Sequence, residues 1–235
     1  MDLSIIIPAY NEEKRLGPTL EKIRAFMEGK DTSYEVIVVA DGSEDRTREV
    51  AEESLLAKEG HITTLKNRKT RGKGYAIERG VRVADGDLIL FTDADLSTPI
   101  EEIDKLIRSI KNGADIAIGS RSINTSEVLT RQPFYRQTMG KAFNLLIRLI
   151  LGQKFKDTQC GFKLFKKDTA KVLFKQIKIP GFAFDAEIIY LALRNGFKVD
   201  EVGVKWLNSA ESKVHPVFSS LQMLRDVIRV RFIHR

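Results

Sequence analysis

Short apolar runs alternate with longer stretches of helical period through the first half of the chain. Leu3 to Ile7 is apolar apart from Ser4, β-branched from Ile5 on, and stops at Pro8, which predicts a buried strand followed by a loop, Pro8-Ala9-Tyr10-Asn11-Glu12. Glu12 and Glu13 then precede Leu16, Leu20, Ile23, Phe26 and Met27, the spacing of an amphipathic helix with acids at its amino end. Tyr34 to Ala40 predicts a second strand, closed by Asp41-Gly42-Ser43-Glu44-Asp45. Ser43 or Asp45 is placed to cap a helix running toward Lys58. Ile62 to Leu65 reads as a short third strand, and Arg71-Gly72-Lys73-Gly74 leads into a helix through Val83. Leu88 to Phe91 is a further strand, Ile100 to Ile110 a helix, and Asp115 to Gly119 a strand ending at Ser120-Arg121.

After Arg121 the pattern changes. Gln132 to Leu151 is dense in apolar residues, interleaved with Arg136, Lys141 and Arg148. Asp157 to Phe165 reads as a loop entering a strand, Lys171 to Phe174 as helix, and Phe182 to Arg194 as a second helix closed by Asn195-Gly196. Val199 to Trp206 predicts a strand, Ser209 to Lys213 a polar loop, and Phe218 to His234 a final basic amphipathic helix. A succession of βα units with short connections implies an α/β fold, a mostly parallel sheet covered by helices. Ligands of such sheets sit beyond the carboxyl ends of the strands. Asn11, Asp41, Arg71, Asp93, Asp95 and Arg121 all fall there, so the pattern alone gathers carboxylates and guanidiniums along one edge.

Composition narrows this picture modestly. The 235 residues carry 43% hydrophobic and 30% charged positions, enough for one large domain with a substantial core. The formal charge of +7 favours anionic partners: nucleotides, phosphorylated lipids, an anionic membrane or nucleic acid. The single cysteine, Cys160, excludes an intrachain disulfide framework and reads as a packed small hydrophobe. No basic segment precedes the first strand, so no secretory signal is expected. No apolar run reaches the roughly 18–20 residues of a membrane span, and Phe143 to Leu151 is broken by Asn144 and Arg148.

Asp93 and Asp95, separated only by Ala94, follow the Leu88 to Phe91 strand. Two carboxylates at the end of a buried strand repel one another and lose hydration, so something positive must offset them. A divalent cation carrying phosphate oxygens would do so. A polar turn followed by a helix cap is the other reading of these residues. Arg71-Gly72-Lys73-Gly74 is not a dinucleotide fingerprint, because Ile77 stands where the third small residue belongs. Its glycines are expected to let backbone approach a nucleotide, with Arg71 or Lys73 facing phosphate.

Together, Pro8-Ala9-Tyr10-Asn11-Glu12, Asp41 to Asp45, Arg71 to Gly74, Asp93-Ala94-Asp95 and Gly119-Ser120-Arg121 resemble the family 2 glycosyltransferases of GT-A fold. The resemblance is to their polyprenyl-phosphate branch. Asp157-Thr158-Gln159-Cys160-Gly161-Phe162-Lys163, Phe184-Asp185-Ala186-Glu187 and Glu211-Ser212-Lys213 extend it nearly to the end of the chain, in wording most similar to the dolichyl-phosphate β-glucosyltransferases. The resemblance implies a single domain whose residues 1–121 bind a nucleotide sugar and whose residues 122–235 face acceptor and membrane. It implies an inverting, metal-dependent transfer of a hexose, glucose from UDP-glucose, onto a polyprenyl monophosphate; the alternatives are the same fold using GDP-mannose or serving a different acceptor. The protein would sit peripherally on the cytoplasmic face of a membrane.

The resemblance also distributes roles. Asp95 ligates Mg2+ or Mn2+ with Asp93 in support. Pro8, Tyr10, Glu12, Asp41, Arg71 and Lys73 line the donor nucleotide. Arg121 and Arg136 join the two carboxylates in catalysis, and Arg121, Arg131, Arg136, Asp157, Gln159 and Lys213 hold the acceptor or phosphate. An arginine fork matches phosphate oxygens, and a phosphate nucleophile needs no general base of the kind a sugar hydroxyl requires. Asp185 and Glu187 lie two apart, about 200° around a helix, and therefore face different surroundings. His61, His215 and His234 are scattered and carry no expected role. Two other classes fit the sequence less well: an inert nucleotide-sugar-binding module, which has no need of the Asp93–Asp95 pair, and a nucleic-acid binder, for which the sequence offers no recognised motif or stacking surface.

Overall fold

The computed structural model describes residues 1–129, 134–207 and 216–234, apart from the side chains of 134–139, 141 and 216–221. Strand β1 (Leu3–Ala9) leads into helix α1 (Glu13–Met27), β2 (Tyr34–Asp41), α2 (Thr47–Glu52), α3 (Leu55–Lys58) and β3 (Ile62–Asn67). Then come α4 (Lys73–Val83), β4 (Leu88–Thr92), a 3-10 turn at Ile100–Glu102, α5 (Ile103–Lys111), β5 (Ile116–Ser120) and the short β6 (Glu127–Val128). The second half contributes α6 (Phe134–Leu151), β7 (Phe162–Lys166), α7 (Lys167–Phe174), α8 (Phe184–Arg194), β8 (Val199–Gly203), β9 (Lys205–Trp206) and α9 (Pro216–Ile233).

Among the described residues the main sheet has seven strands in the order β3-β2-β1-β4-β7-β5-β8. All neighbours run parallel except β7, which is antiparallel to both β4 and β5. The expected mostly parallel α/β sheet is therefore present, with one reversed strand near its centre. Because β7 runs backwards, its amino end meets the carboxyl end of β4, where Thr92 pairs with Phe162. The loop before β7 is thereby delivered to the edge that carries Asp93.

Helices cover both faces. One core layer joins Leu16, Leu20 and Ile23 of α1 and Leu106 of α5 to Ile5, Ile7, Val36 and Val38. The other joins Ala76 and Ile77 of α4, Leu173 of α7 and Ile188 of α8 to Ile6, Ile37, Ile89 and Phe91. A third cluster seats α6 and α9 on α8 through Ile147, Leu151, Ala186, Tyr190, Val227 and Val230.

Several boundaries differ from expectation. The Pro8-Ala9 pair continues β1 against Val39 and Ala40, since the β4 side of the ladder has already ended at Ile6 and Phe91. The helix expected to reach Lys58 breaks in two, because Ser54 caps a new turn by accepting from the Ala57 N–H at 3.2 Å. Neither expected residue is the N-cap of α2, which is Arg46 and makes no side-chain cap bond; Asp45 just before it accepts the Thr47 N–H at 3.0 Å, and Ser43 accepts from Asn11 N–H instead. The strand expected over Val199 to Trp206 turns after Gly203 and leaves the sheet to pair β6. The Ser209 to Lys213 loop lies outside the described residues.

Glu187 is fully buried on α8 and accepts the N–H groups of Lys178 and Ile179, each at 2.9 Å, and is 2.6 Å from His234 Nε2. Replacing it strands three polar partners. Glu187→Ala is expected to lower unfolding stability by about 3 kcal/mol, read as a shift in the urea midpoint at unchanged slope.

Candidate active site

The carboxyl ends of β1, β2, β4 and β5 bring Asn11, Asp41, Asp93, Asp95 and Arg121 to one edge, as the pattern of βα units requires. The two carboxylates after β4 are each met by a cation of the chain itself. Lys73 Nζ lies 2.6 Å from Asp93 Oδ1, and Arg15 Nη1 lies 3.5 Å from Asp95 Oδ2. Arg15 also grips Glu12 through two bonds of 2.5 and 2.6 Å, so Glu12 is linked to Asp95 through a shared guanidinium. Asp95 Oδ1 accepts the Ser97 N–H at 3.0 Å, which is the capping role the residue type allows. Thr19 Oγ1 donates to the Ala94 carbonyl at 2.7 Å and fixes the residue between the two acids. Leu96 has φ +43°, a left-handed conformation a branched side chain seldom adopts, and its N–H bonds to the Asp93 carbonyl at 3.1 Å. Such local strain persists where packing over-determines it.

Asp93 rests on the loop before β7. A Cβ built on Gly161 would run into the Asp93 carboxylate, so the carboxylate lies directly against this glycine and a side chain there would displace it. Behind Gly161 lies a second layer of buried charge. Lys163, with no exposed surface, pairs with Asp185 of α8, donates to the Cys160 carbonyl at 2.7 Å and stands 5.2 Å from the centre of the Phe91 ring. Burial works to lower the Lys73 pKa, but Asp93 and Asp185 outweigh it and hold the ammonium charged well above neutrality. Burial pushes the Asp185 carboxyl up against the pull of Lys163 and Lys73. Cys160 is buried and its thiol is pushed up to about 11 by burial and by Asp157, so it is a protonated packing group rather than a nucleophile.

Asp157 holds Arg121 in a fork: Oδ2 accepts Nε–H at 2.7 Å and the backbone N–H at 2.9 Å, and Oδ1 accepts Nη2–H at 2.8 Å. Burial works to raise Asp157, but the guanidinium holds its carboxyl below the usual carboxylate range. The guanidinium stands 5.5 Å from the Trp206 ring, and its Nη1 is not part of the fork. Gln159 N–H bonds to Asp157 Oδ1 at 3.2 Å, while its Nε2 is buried without a hydrogen-bond partner among the described residues.

Asp41 is buried at the end of β2 and fully engaged by its own chain. It accepts from Asn67 Nδ2 at 2.6 Å, from Arg71 N–H at 3.0 and 3.1 Å and from Gly72 N–H at 2.8 Å. The expectation that Gly72 and Gly74 leave room for a nucleotide is corrected here. A Cβ on Gly72 meets the Pro180 carbonyl, and one on Gly74 comes within 2.7 Å of Phe184 Cβ, so both glycines serve the close packing of α4 against the start of α8. The Arg71 guanidinium stacks on Tyr75 at 4.0 Å. Tyr10 is exposed at the rim, beyond Pro8.

Arg131 and Lys213 lie outside the described residues. Arg136 lies in the first turn of α6, its side chain outside the description. Sequence reasoning missed Arg15 and Asn67, and gave Gly161 and Lys163 no role beyond their place in the Asp157 to Lys163 motif. Arg15 carried a signal in its i,i+3 spacing from Glu12. The others depend on pairings between distant segments. Among the described residues no three His, Cys, Asp or Glu side chains cluster to hold a metal.

The family model described as "Glycosyl transferase family 2" matches residues 4–174. Curated relatives named dolichyl-phosphate beta-glucosyltransferase include those of Drosophila melanogaster, 39% identical, and Dictyostelium discoideum, 37% identical, each aligned over 98% of this chain and 74% of the relative. That of Homo sapiens is 34% identical over 97% of this chain and 74% of its own. A solved structure of glucosyl-3-phosphoglycerate synthase from Mycobacterium tuberculosis, in complex with Mn2+, UDP and glucosyl-3-phosphoglycerate, superposes with TM-score 0.69 at 21% identity. It covers 97% of this chain and 78% of that one. Mannosyl-3-phosphoglycerate synthase from Rubrobacter xylanophilus gives TM-score 0.70 at 19% identity over 98% and 72% of the two chains. These structures share the GT-A fold.

Asp157 has a folded pKa below its unfolded value of about 4. Its stabilising contribution is therefore complete above that value and disappears as pH falls through the folded value. Asp157→Asn is expected to melt several degrees lower at pH 7, since about 3 kcal/mol is lost when a buried charge is left unpaired. It should also lose less on acidification from pH 5 to 3 than the wild type does, measured as melting temperature against pH.

Proposed function

Since the chain belongs to glycosyl transferase family 2, we propose that it transfers glucose from UDP-glucose to a dolichyl or related polyprenyl monophosphate, with inversion at the anomeric carbon. The observation that supports this most directly is near-full-length identity of 34–39% to relatives that all carry the dolichyl-phosphate beta-glucosyltransferase name. The local geometry suits the reaction. Donor and acceptor are both anionic, and the edge beyond β4 and β5 combines Lys73, Arg15 and Arg121 with the Asp93–Asp95 pair.

The residues present fit a divalent cation. Asp93 and Asp95 are partly exposed carboxylates at a strand end, and one or two carboxylates with substrate phosphate oxygens are what Mg2+ commonly takes. Asp95 would be the direct ligand with Asp93 beside it. When bound, Mg2+ or Mn2+ supplies the charge that neutralises the departing diphosphate. The chain's own part is positioning. The Asp157 fork sets the Arg121 plane and leaves Nη1 to meet a phosphate oxygen. Arg131, Arg136, Gln159 and Lys213 join it on the acceptor side. Asp41 shapes the donor side by holding the Arg71–Gly72 backbone, with Pro8, Tyr10, Glu12 and Lys73 around the nucleotide. Residues 1–121 accordingly supply the donor side, except that Arg121 at their end joins residues 122–235 on the acceptor side. A phosphate oxygen of the acceptor attacks the anomeric carbon in line, and no side chain has to remove a proton from it.

The acceptor's prenyl chain requires an apolar surface. Leu145, Leu146 and Leu149 of α6 and Ile228 and Phe232 of α9 are exposed on two helices that pack together, and Arg225, Arg229 and Arg231 accompany them on α9. Among the described residues no helix is long and apolar enough to cross a membrane. The pair suits a peripheral seat at the membrane surface, on the cytoplasmic face as the resemblance implies. Flotation with vesicles containing phosphatidylserine is expected to carry the protein upward, and Leu149→Glu with Phe232→Glu to abolish this; flotation unchanged in the double variant rejects this seat.

Turnover with UDP-glucose, UDP-galactose and GDP-mannose on a short polyprenyl phosphate decides the reaction. Transfer is expected from UDP-glucose, with a β-linked product, and its loss on chelation with recovery on adding Mg2+ or Mn2+. Preference for GDP-mannose, or transfer indifferent to chelation, would falsify the reading. Asp95→Asn keeps an acceptor for the Ser97 N–H yet removes the charge. It is expected to lower kcat by about two to three decades at unchanged melting temperature, as befits several kcal/mol of charge stabilisation.

A further inference from the structure

Lys163 and Asp185 form a buried ion pair that the reaction as described does not use. Lys163 has no exposed surface and Asp185 is 2% exposed. Burying two charges costs several kcal/mol per ion before their attraction is counted, and apolar pairs of similar volume often replace such a bridge without loss. Stability is therefore a weak reason for the pair, and its location offers a better one.

Each partner reaches the Asp93 carboxylate by a different route. Lys163 donates to the Cys160 carbonyl at 2.7 Å and so fixes the peptide leading into Gly161, the residue whose Cα lies against Asp93. Asp185 interacts electrostatically with Lys73, whose ammonium is 2.6 Å from Asp93 Oδ1. The close packing of Gly74 on Phe184 brings the starts of α4 and α8 together and with them Lys73 and Asp185. Phe91, whose ring lies 5.2 Å from Lys163 Nζ, belongs to the strand that carries Asp93. The pair is thus beneath the floor and beside the cation of one carboxylate.

We propose that Lys163 and Asp185 are positioning residues for Asp93: Lys163 sets the Gly161 floor, Asp185 sets Lys73, and together they hold the carboxylate in the orientation in which the diphosphate-bound cation meets it. This rests on the transferase reading above. Outer partners that orient a metal-binding carboxylate commonly change affinity or activity by about 10–100-fold when removed.

The test separates positioning from folding. Lys163→Met alone leaves Asp185 buried without its partner and should destabilise the fold. The double variant Lys163→Met/Asp185→Val removes both charges at similar volume and should melt near the wild-type temperature. Calorimetry of UDP binding at fixed Mn2+, with Mn2+ titrated at fixed UDP, reads the site directly, and donor kinetics accompany it. The double variant is expected to bind Mn2+ in the presence of UDP about 10–100-fold more weakly and to lose kcat in step. A folded double variant with wild-type Mn2+ affinity and kcat overturns the inference and leaves the transferase reading in place. A double variant that does not fold overturns it too, because the pair is then an element of stability. Wild-type protein that binds no UDP with Mn2+ overturns the transferase reading and this inference together.

Discussion

Two carboxylates cannot end a buried strand side by side unless positive charge is brought to them, and much of this structure answers that demand. Lys73 at the start of α4 meets Asp93, and Arg15 in the first turn of α1 meets Asp95. Both cations come from the amino ends of helices, where the dipole is unfavourable to them. Their placement therefore follows from the acids rather than from helix chemistry. Lys73 and Arg15 also show that charge compensation in the protein does not by itself call for a metal. The fit to a cation rests on the donor set and partial exposure of the acids.

The reversed strand β7 makes the second half of this arrangement possible. A parallel strand in its place would begin at the opposite edge of the sheet, and its preceding loop would be far from Asp93. Running antiparallel between β4 and β5, β7 starts where they end, so Asp157, Cys160, Gly161 and Lys163 all fall beside the two acids and Arg121. One topological choice thus sets the Asp157–Arg121 fork and the Gly161 floor at once. It also joins the two halves of the chain in one core, since Phe162 and Leu164 pack with residues of the first half and Phe165 with Phe91.

The strand ends were legible because βα units carry their own punctuation: a β-branched run, a polar turn, then a helical period. Asp41, Asp93, Asp95 and Arg121 were placed correctly on the edge by that logic alone. What stayed hidden was the identity of partners. Periodicity gives a strand's faces but not its direction, so β7 could be seen as a strand and not as a reversed one. Nothing local marks Lys163 as buried, since lysine is seldom buried and its partner lies 22 residues away. The glycines of Arg71 to Gly74 suggested room for a ligand, yet glycine serves close approach of backbone to backbone equally well, and that is the use made of it here. Asp41 shows the same limit: its place at a strand end was legible, but its bonds to Asn67 and the Arg71–Gly72 backbone were not.

Helix α8 shows how a short spacing becomes an organising device. Asp185 and Glu187 sit two residues apart, and the helical turn sends them opposite ways. Asp185 faces Lys163, with the Lys73–Asp93 pair nearby. Glu187 faces the Lys178–Ile179 backbone and His234 at the end of α9. Ala186 between them and Tyr190 one turn on seat α6 and α9, the helices whose outer surface carries Leu149 and Phe232. Two buried carboxylates would be a liability on an ordinary core helix. On α8 each is satisfied by a different layer, so the helix fixes the depth of the acidic site relative to the exposed apolar pair.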